Sequence, residues 1–101
     1  MAEYKKVATL SEVPSGGSKA FTVGGAAIAV YNVDGVLFAT DNECPHRGGP
    51  LGEGSLKGDL VTCPWHGFQY EVRTGACRTS PALKVACRPV KVEGQDVLVM
   101  I

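Results

Sequence analysis

Two short segments govern how this chain folds: Cys44-Pro45-His46 and Cys63-Pro64-Trp65-His66. They contain both histidines of the chain and two of its four cysteines. The spacing is C-x-H, then sixteen residues, then C-x-x-H, so each segment carries one thiol and one imidazole. Thiolate sulfur and imidazole nitrogen are ligands that transition metals prefer in proteins. The spacing therefore predicts a metal site held between two loops.

Two kinds of metal centre suit this ligand set. Two thiolates and two imidazoles can form a tetrahedral zinc site, but structural zinc sites commonly group like ligands in one segment. Here each segment supplies one ligand of each type, which favours a metal group with two different ends, one bound by sulfur and the other by nitrogen. A dinuclear iron cluster has such ends. A zinc-stabilised interaction module remains the rival interpretation.

The rest of the chain predicts an all-β fold. Thirteen glycines and six prolines are scattered along it, which fits short strands joined by turns. We expect strands over residues 5–10, 20–23, 26–33, 36–40, 60–62, 68–72, 90–93 and 96–101. Asp34-Gly35 predicts a two-residue hairpin turn, and Gly94-Gln95 predicts another. Residues 41–58 and 63–67 are predicted to be loops, and a loop as long as the first usually has a function.

Composition sets limits on the class of protein. A chain of 101 residues fits one domain spanning residues 1–101, and 45% apolar residues with 20% charged residues is a globular composition. Ten basic residues balance ten acidic residues, which argues against nucleic acid or an anionic membrane as the main partner. The N-terminus lacks the apolar stretch of a secretory signal, and no run approaches the roughly 20 apolar residues that cross a bilayer. We therefore expect a cytoplasmic monomer without a membrane anchor.

The sequence resembles the Rieske family of [2Fe–2S] proteins. The resemblance is carried by CPHRGGPLGEG from Cys44 and CPWHGFQYEVRTG from Cys63, and it extends through Ser80-Pro81-Ala82 to a final CRPVKVEGQDVLV segment. It implies an antiparallel β-sandwich or barrel with a small two-loop subdomain that binds one [2Fe–2S] cluster per chain. By the same resemblance, Cys44 and Cys63 would bind the inner iron, and His46 and His66 the outer, solvent-facing iron.

Supporting roles follow from the same resemblance. Glycines would let backbone N–H groups approach the cluster sulfides, apolar residues would keep water from the sulfurs, and a tyrosine would donate a hydrogen bond to one of them. The residues concerned are Gly48, Gly49 and Gly67; Leu51, Trp65 and Pro81; and Tyr70. Ordinary loop glycines and core side chains are the plainer interpretation of the same positions.

Departures from the respiratory members of the family narrow the function. Those proteins carry one extra cysteine in each loop, joined as a disulfide, and here Gly49 and Trp65 hold the two places. Phe68 stands where they have a serine that donates to the cluster. Tyr70 keeps the position of the other donor. Because such donors stabilise the reduced form, the loss of one predicts a potential in the lower part of the range of about −150 to +300 mV.

This pattern resembles soluble Rieske-type ferredoxins. It implies a one-electron carrier without catalytic activity of its own, which passes electrons from a flavin-dependent reductase to a terminal oxygenase such as an aromatic-ring-hydroxylating dioxygenase. The alternative is the Rieske-like small subunit of a cytoplasmic nitrite reductase.

Cys77 and Cys87 lie outside both ligand segments. Unpaired cysteine is among the most buried residue types, so we expect two buried thiols. A disulfide or a redox-sensing role is the alternative.

Overall fold

The computed structural model describes residues 4–43, 49–65, 67–80 and 82–100. In these ranges the chain forms ten strands and two short 3₁₀ helices, at Leu10–Glu12 and Leu51–Glu53. The strands are β1 (Tyr4–Thr9), β2 (Ser18–Val23), β3 (Ala26–Val33), β4 (Val36–Asp41), β5 (Ser55–Lys57), β6 (Leu60–Thr62), β7 (Gln69–Glu71), β8 (Cys87–Arg88), β9 (Val90–Glu93) and β10 (Asp96–Met100). All are paired antiparallel, in three sheets ordered β1-β10-β9, β2-β3-β4-β8 and β5-β6-β7. The predicted all-β class is confirmed.

Strand β3 lies at the centre of the molecule because both of its faces are buried. Successive side chains of a strand point to opposite faces. Ile28 and Val30 enter one core, together with residues of β10. Ala29 and Tyr31 enter the other core, which also contains Cys63. The four-stranded sheet is therefore the middle layer, and the small β5-β6-β7 sheet packs on the side that holds the predicted ligand.

The hairpin turns form where the sequence predicts them. Asp34 and Gly35 have φ of +51° and +90°, the positive values that a type I′ turn requires at both central positions. Asn32, the second-last residue of β3, accepts the Gly35 N–H at Oδ1 over 2.7 Å. Gly94, between β9 and β10, has φ of +63°. These turns fix the registers of the β3–β4 and β9–β10 pairs.

The loop predicted over residues 41–58 is wrong in its second half. Leu51–Glu53 is a 3₁₀ helix, and Ser55–Lys57 forms β5, which pairs with β6. The side chain of Leu51 is 0% exposed, and its burial fixes this segment. The glycines of the segment had suggested an irregular loop. Strand β8 was also not predicted, because its two residues are placed only by pairing with Ala39 and Thr40. In the residues that the structure describes, no helix has the length and apolar character needed to cross a membrane.

Candidate metal centre

The second ligand segment is a tight loop that begins at a buried thiol. Cys63 directly follows β6, and its N–H donates to the Phe68 carbonyl over 2.7 Å, just before β7 begins. Gly67, at φ of +71°, gives the loop a backbone conformation that other residues rarely adopt. Cys63 is 1% exposed and shares a core with Tyr70. The sheet thus holds one predicted ligand at a fixed depth, and His66 lies outside the described residues.

The first ligand segment is closed at its base. Glu43 and Pro50 form an isolated antiparallel bridge on either side of it. Just beyond the bridge, the N–H of Leu51 donates to the Asn42 carbonyl over 2.8 Å. The predicted residues inside this segment, Cys44, His46 and Gly48, lie outside the described residues. What the structure fixes is the position of both ends.

The two segments meet at Gly49. A Cβ built on this residue would lie 2.7 Å from the Cys63 Sγ, and 3.0 and 3.2 Å from the Cγ and Cβ of Trp65. Side-chain carbons do not approach other atoms so closely, so only glycine allows this contact. Gly49 therefore packs against the sulfur of Cys63, and its predicted role of bringing an N–H group to a cluster sulfide stays a prediction. For Gly67 the reason is its positive φ, because a Cβ there would meet nothing within 4 Å.

These residues fit an iron–sulfur cluster. A thiol that is 1% exposed stands at the base of one loop, and the other loop, whose sequence carries the same pair of donor types, comes against its sulfur. Because Gly49 has no side chain, the end of the first loop can lie directly against Cys63 and Trp65 of the second loop. A sulfur that is 1% exposed suits a cluster whose charge changes by one unit.

The predicted surrounding residues differ in burial. Leu51 and Tyr70 are both 0% exposed and belong to the same core as Cys63. Trp65 is 50% exposed, so only the base of its side chain lies against Gly49, while much of the ring faces solvent. The expectation that Trp65 covers the cluster stays a prediction, and only the less exposed part of the side chain could do so. Pro81 lies outside the described residues.

The resemblance already pointed to Ser80-Pro81-Ala82, and what the sequence did not reveal is the role of Cys77 in the turn before it. The Cys77 Sγ accepts a hydrogen bond from the Ser80 N–H at 3.2 Å, and the Leu83 N–H donates to the Ser80 carbonyl over 3.0 Å. Cys77 also bridges to Tyr70 and is 5% exposed, as expected for a buried thiol. The sulfur thus holds the turn that leads into Pro81. The signal available in the sequence was Cys77 itself, because its sulfur can accept a hydrogen bond from the N–H three residues later.

Cys87 is exposed, which corrects the expectation that it is buried. It lies on the short edge strand β8 and opens onto a groove of about 380 Å³ that Arg73 and Arg88 also line. Its Sγ is 3.8 Å from the Val72 carbonyl oxygen. Partial burial of the sulfur raises the pKa of the Cys87 thiol, and the positive charge of Lys84 opposes part of that rise. Neither Cys77 nor Cys87 is in a disulfide.

One ion pair lies near the first ligand segment. The Arg88 Nε donates to Asp41 Oδ1 over 2.7 Å, and both side chains are about one-third exposed, at 30% and 37%. It joins β8 to the end of β4 and neutralises a carboxylate three residues before Cys44 in the sequence. A bare carboxylate there would disfavour adding an electron to a cluster held by these loops.

Comparisons with known proteins show the family of the chain. A model of the Rieske [2Fe-2S] domain matches residues 3–100. The ferredoxin component of the naphthalene 1,2-dioxygenase system of Pseudomonas aeruginosa is 37% identical over 91 residues, which are 89% of this chain and 88% of that protein.

Two solved structures are also similar. A chain of the complex of reduced oxygenase and oxidized ferredoxin in carbazole 1,9a-dioxygenase is 35% identical, with a TM-score of 0.85 over 95% of this chain and 91% of that chain. A protein assigned as an NADH-dependent nitrite reductase small subunit from Mycobacterium tuberculosis has a TM-score of 0.89 over 100% of this chain and 96% of that chain. At 18% identity, the second likeness shows the fold alone.

The match to the domain covers nearly the whole chain and includes both ligand segments, and the cofactor of that domain is the one predicted here. A [2Fe–2S] cluster, not zinc, is therefore the metal group of this site. The chain belongs to the Rieske [2Fe-2S] domain family.

Proposed function

We propose that this chain is a ferredoxin-type one-electron carrier that takes an electron from a flavin-dependent reductase and delivers it to the terminal oxygenase of an aromatic-ring-hydroxylating dioxygenase system. Two similarities support the partner class. A relative is the ferredoxin component of a naphthalene dioxygenase system, and another similar chain was solved in a complex of oxygenase and ferredoxin.

Four residues would hold the cluster, which supplies one-electron redox chemistry when bound. Cys44 and Cys63 would provide thiolates to one iron, and His46 and His66 would provide imidazoles to the other. The observation that carries this assignment is the approach of Gly49 to the Cys63 sulfur, because it brings the two ligand segments together at the required place.

The second loop has a side for the cluster and a side for a partner. Cys63 at its base is 1% exposed, while Trp65, two residues later, is 50% exposed and follows the exposed Pro64. An electron therefore has only this short loop to cross between a dry thiolate and a surface that a partner can touch. As a carrier the chain needs no substrate pocket, and we propose that it catalyses no reaction by itself.

The proposed setting is the cytoplasm, with the chain as a monomer of one domain. The Cys77 and Cys87 thiols suit a reducing compartment, in which disulfides are rare. The fold shared with nitrite reductase small subunits, at 18% identity, does not favour that second function.

The cluster assignment is tested by anaerobic purification and chemical analysis. We expect two iron and two acid-labile sulfide ions per chain, as the family's cofactor requires. Cys63→Ser should abolish cluster binding. Cys77→Ser is the matched control, since Cys77 is an equally buried thiol in the same core and should be dispensable for the cluster. Absence of sulfide after anaerobic reconstitution, or equal cluster loss in both variants, would overturn the ligand assignment.

The carrier function is tested with the reductase and oxygenase components of a naphthalene 1,2-dioxygenase system. The cluster-loaded protein should be reduced by the reductase with NADH and reoxidised when the oxygenase is added, as followed by stopped-flow absorbance. A loaded protein that exchanges electrons with neither component would contradict the proposed partner class and leave the cluster assignment intact.

A further inference from the structure

Asn42 joins the two ends of the first ligand segment. Its carbonyl accepts the Leu51 N–H over 2.8 Å, and its side-chain Oδ1 accepts the Gly52 N–H over 2.7 Å. Its own N–H donates to the Ala27 carbonyl over 3.0 Å, which fixes it to the start of β3. A single residue that precedes the segment therefore accepts hydrogen bonds from two consecutive N–H groups that follow the segment.

Those two N–H groups need an external acceptor. They belong to the first residues of the 3₁₀ helix Leu51–Glu53, where N–H groups have no partner within the helix. Pro50 at the N-cap position offers no side-chain hydrogen bond. Both helix residues are buried, so water is a poor substitute. Asn42 therefore satisfies donors that the local sequence leaves open.

The helix itself is fixed from its other side. A Cβ on Gly52 would lie 2.6 Å from the Ala20 backbone nitrogen, so this helix packs directly against β2. The Ser18 hydroxyl lies 3.2 Å from both the Gly52 and the Gly54 carbonyl oxygens and can donate to either. The bonds from Asn42 thus attach the start of the ligand segment to a rigid block, three residues from the Gly49 contact with Cys63.

We propose that Asn42 is a positioning residue for the first ligand segment: its bonds to Leu51 and Gly52 hold the two described ends of that segment together, and these bonds set how long the cluster stays bound. The inference rests on the proposed ligand set. It assigns to Asn42 a role that acts through the loop, without contact to the metal.

Asn42→Ala removes the Oδ1 acceptor and leaves the buried Gly52 N–H without its partner. We expect the cluster to be released to an iron chelator about tenfold faster, which is the rate equivalent of one such lost interaction. We also expect the EPR signature of the reduced cluster to change. Asn42→Asp keeps an acceptor at the same place and should restore a release rate close to that of the unmodified protein.

The matched control is Asn32→Ala, at the opposite end of the same β3–β4 hairpin. Asn32 makes the same kind of bond, with its Oδ1 accepting the Gly35 N–H over 2.7 Å; its Nδ2 also donates to the Val13 carbonyl over 2.8 Å, so its loss costs at least as much stability. The Asn32→Ala substitution should lower the melting temperature but leave the EPR signature unchanged. The rate of cluster release should equal that of the unmodified protein when each protein is measured at the same number of degrees below its own melting temperature. Equal acceleration in both alanine variants would reduce the role of Asn42 to general stability and overturn the proposal.

Ser18→Ala keeps the test decisive if Asn42→Ala does not fold. It loosens the same 3₁₀ helix from the opposite side through a hydroxyl at a partly buried position. Faster cluster release at an unchanged melting temperature supports the proposal, and an unchanged release rate contradicts it. An unmodified chain that binds no cluster would overturn the proposed function as well, whereas normal retention in Asn42→Ala would remove only the role of Asn42.

Discussion

Replacing Gly49 by alanine should separate the two ligand loops. The added Cβ would lie 2.7 Å from the Cys63 Sγ, whereas non-bonded heavy atoms favour about 3.5–4.0 Å. The loops must therefore move apart by about 1 Å. Overpacking of this kind costs about 1–3 kcal/mol, and the lower entropy of the unfolded alanine chain offsets about 0.4–1 kcal/mol of that. The remainder, at most about 2.6 kcal/mol, lowers the melting temperature of a domain of this size by up to roughly 20 °C.

The assay is anaerobic thermal melting of the cluster-loaded protein, followed both by far-UV circular dichroism and by the visible absorbance of the cluster. In Gly49→Ala the visible signal should be lost before the backbone signal, because the strain falls on the ligand sulfur. Gly17→Ala is the matched control. A Cβ there would lie 2.9 Å from the Pro14 carbonyl oxygen, an equally close contact in a turn outside the ligand segments. In that variant both signals should be lost together.

Two results would refute the reasoning. A Gly49→Ala protein that melts and keeps its cluster like the unmodified chain would show that residue 49 does not limit the distance between the loops. A protein in which both signals fall together, as in Gly17→Ala, would show that the contact contributes to general packing and not to ligand placement.

Three further predictions concern the potential and a thiol. Tyr70→Phe should lower the midpoint potential by at most about 40 mV, since one hydrogen bond of roughly 1 kcal/mol to the reduced form is lost; a higher potential in redox titration would remove Tyr70 from the tuning residues. His66→Cys, where the cluster survives, should also lower the midpoint because an anionic ligand replaces a neutral one, and an unchanged midpoint would count against ligation of iron by His66. Lys84→Ala should raise the pKa of Cys87 further, because the charge that lowers it is gone. Less thiolate is then present at a fixed pH, so alkylation of Cys87 by iodoacetamide should slow, and an unshifted pH–rate profile would contradict the role of Lys84.

Local chemistry explains which features could be predicted. The Asp34-Gly35 turn and its positive φ values follow from two adjacent residues, and β3, β6 and β9 have the predicted bounds. The spacing of the predicted ligands can likewise be read directly from the sequence. Cys87 was placed wrongly because burial depends on which strand lies beside it, and β8 is an edge strand of two residues.

By itself, the sequence determined the class of fold and the family, and it predicts the pair of ligand segments, because turn chemistry, alternation and donor spacing act over a few neighbouring residues. The tertiary structure decided which glycine faces the Cys63 sulfur, which thiol is exposed, and that Asn42 joins the two ends of residues 43–50. Those outcomes depend on contacts between segments that are distant in sequence: Gly49 with Cys63, Cys87 with Val72 and Asn42 with Gly52. Such contacts form only when the sheets pack together, so no local pattern encodes them.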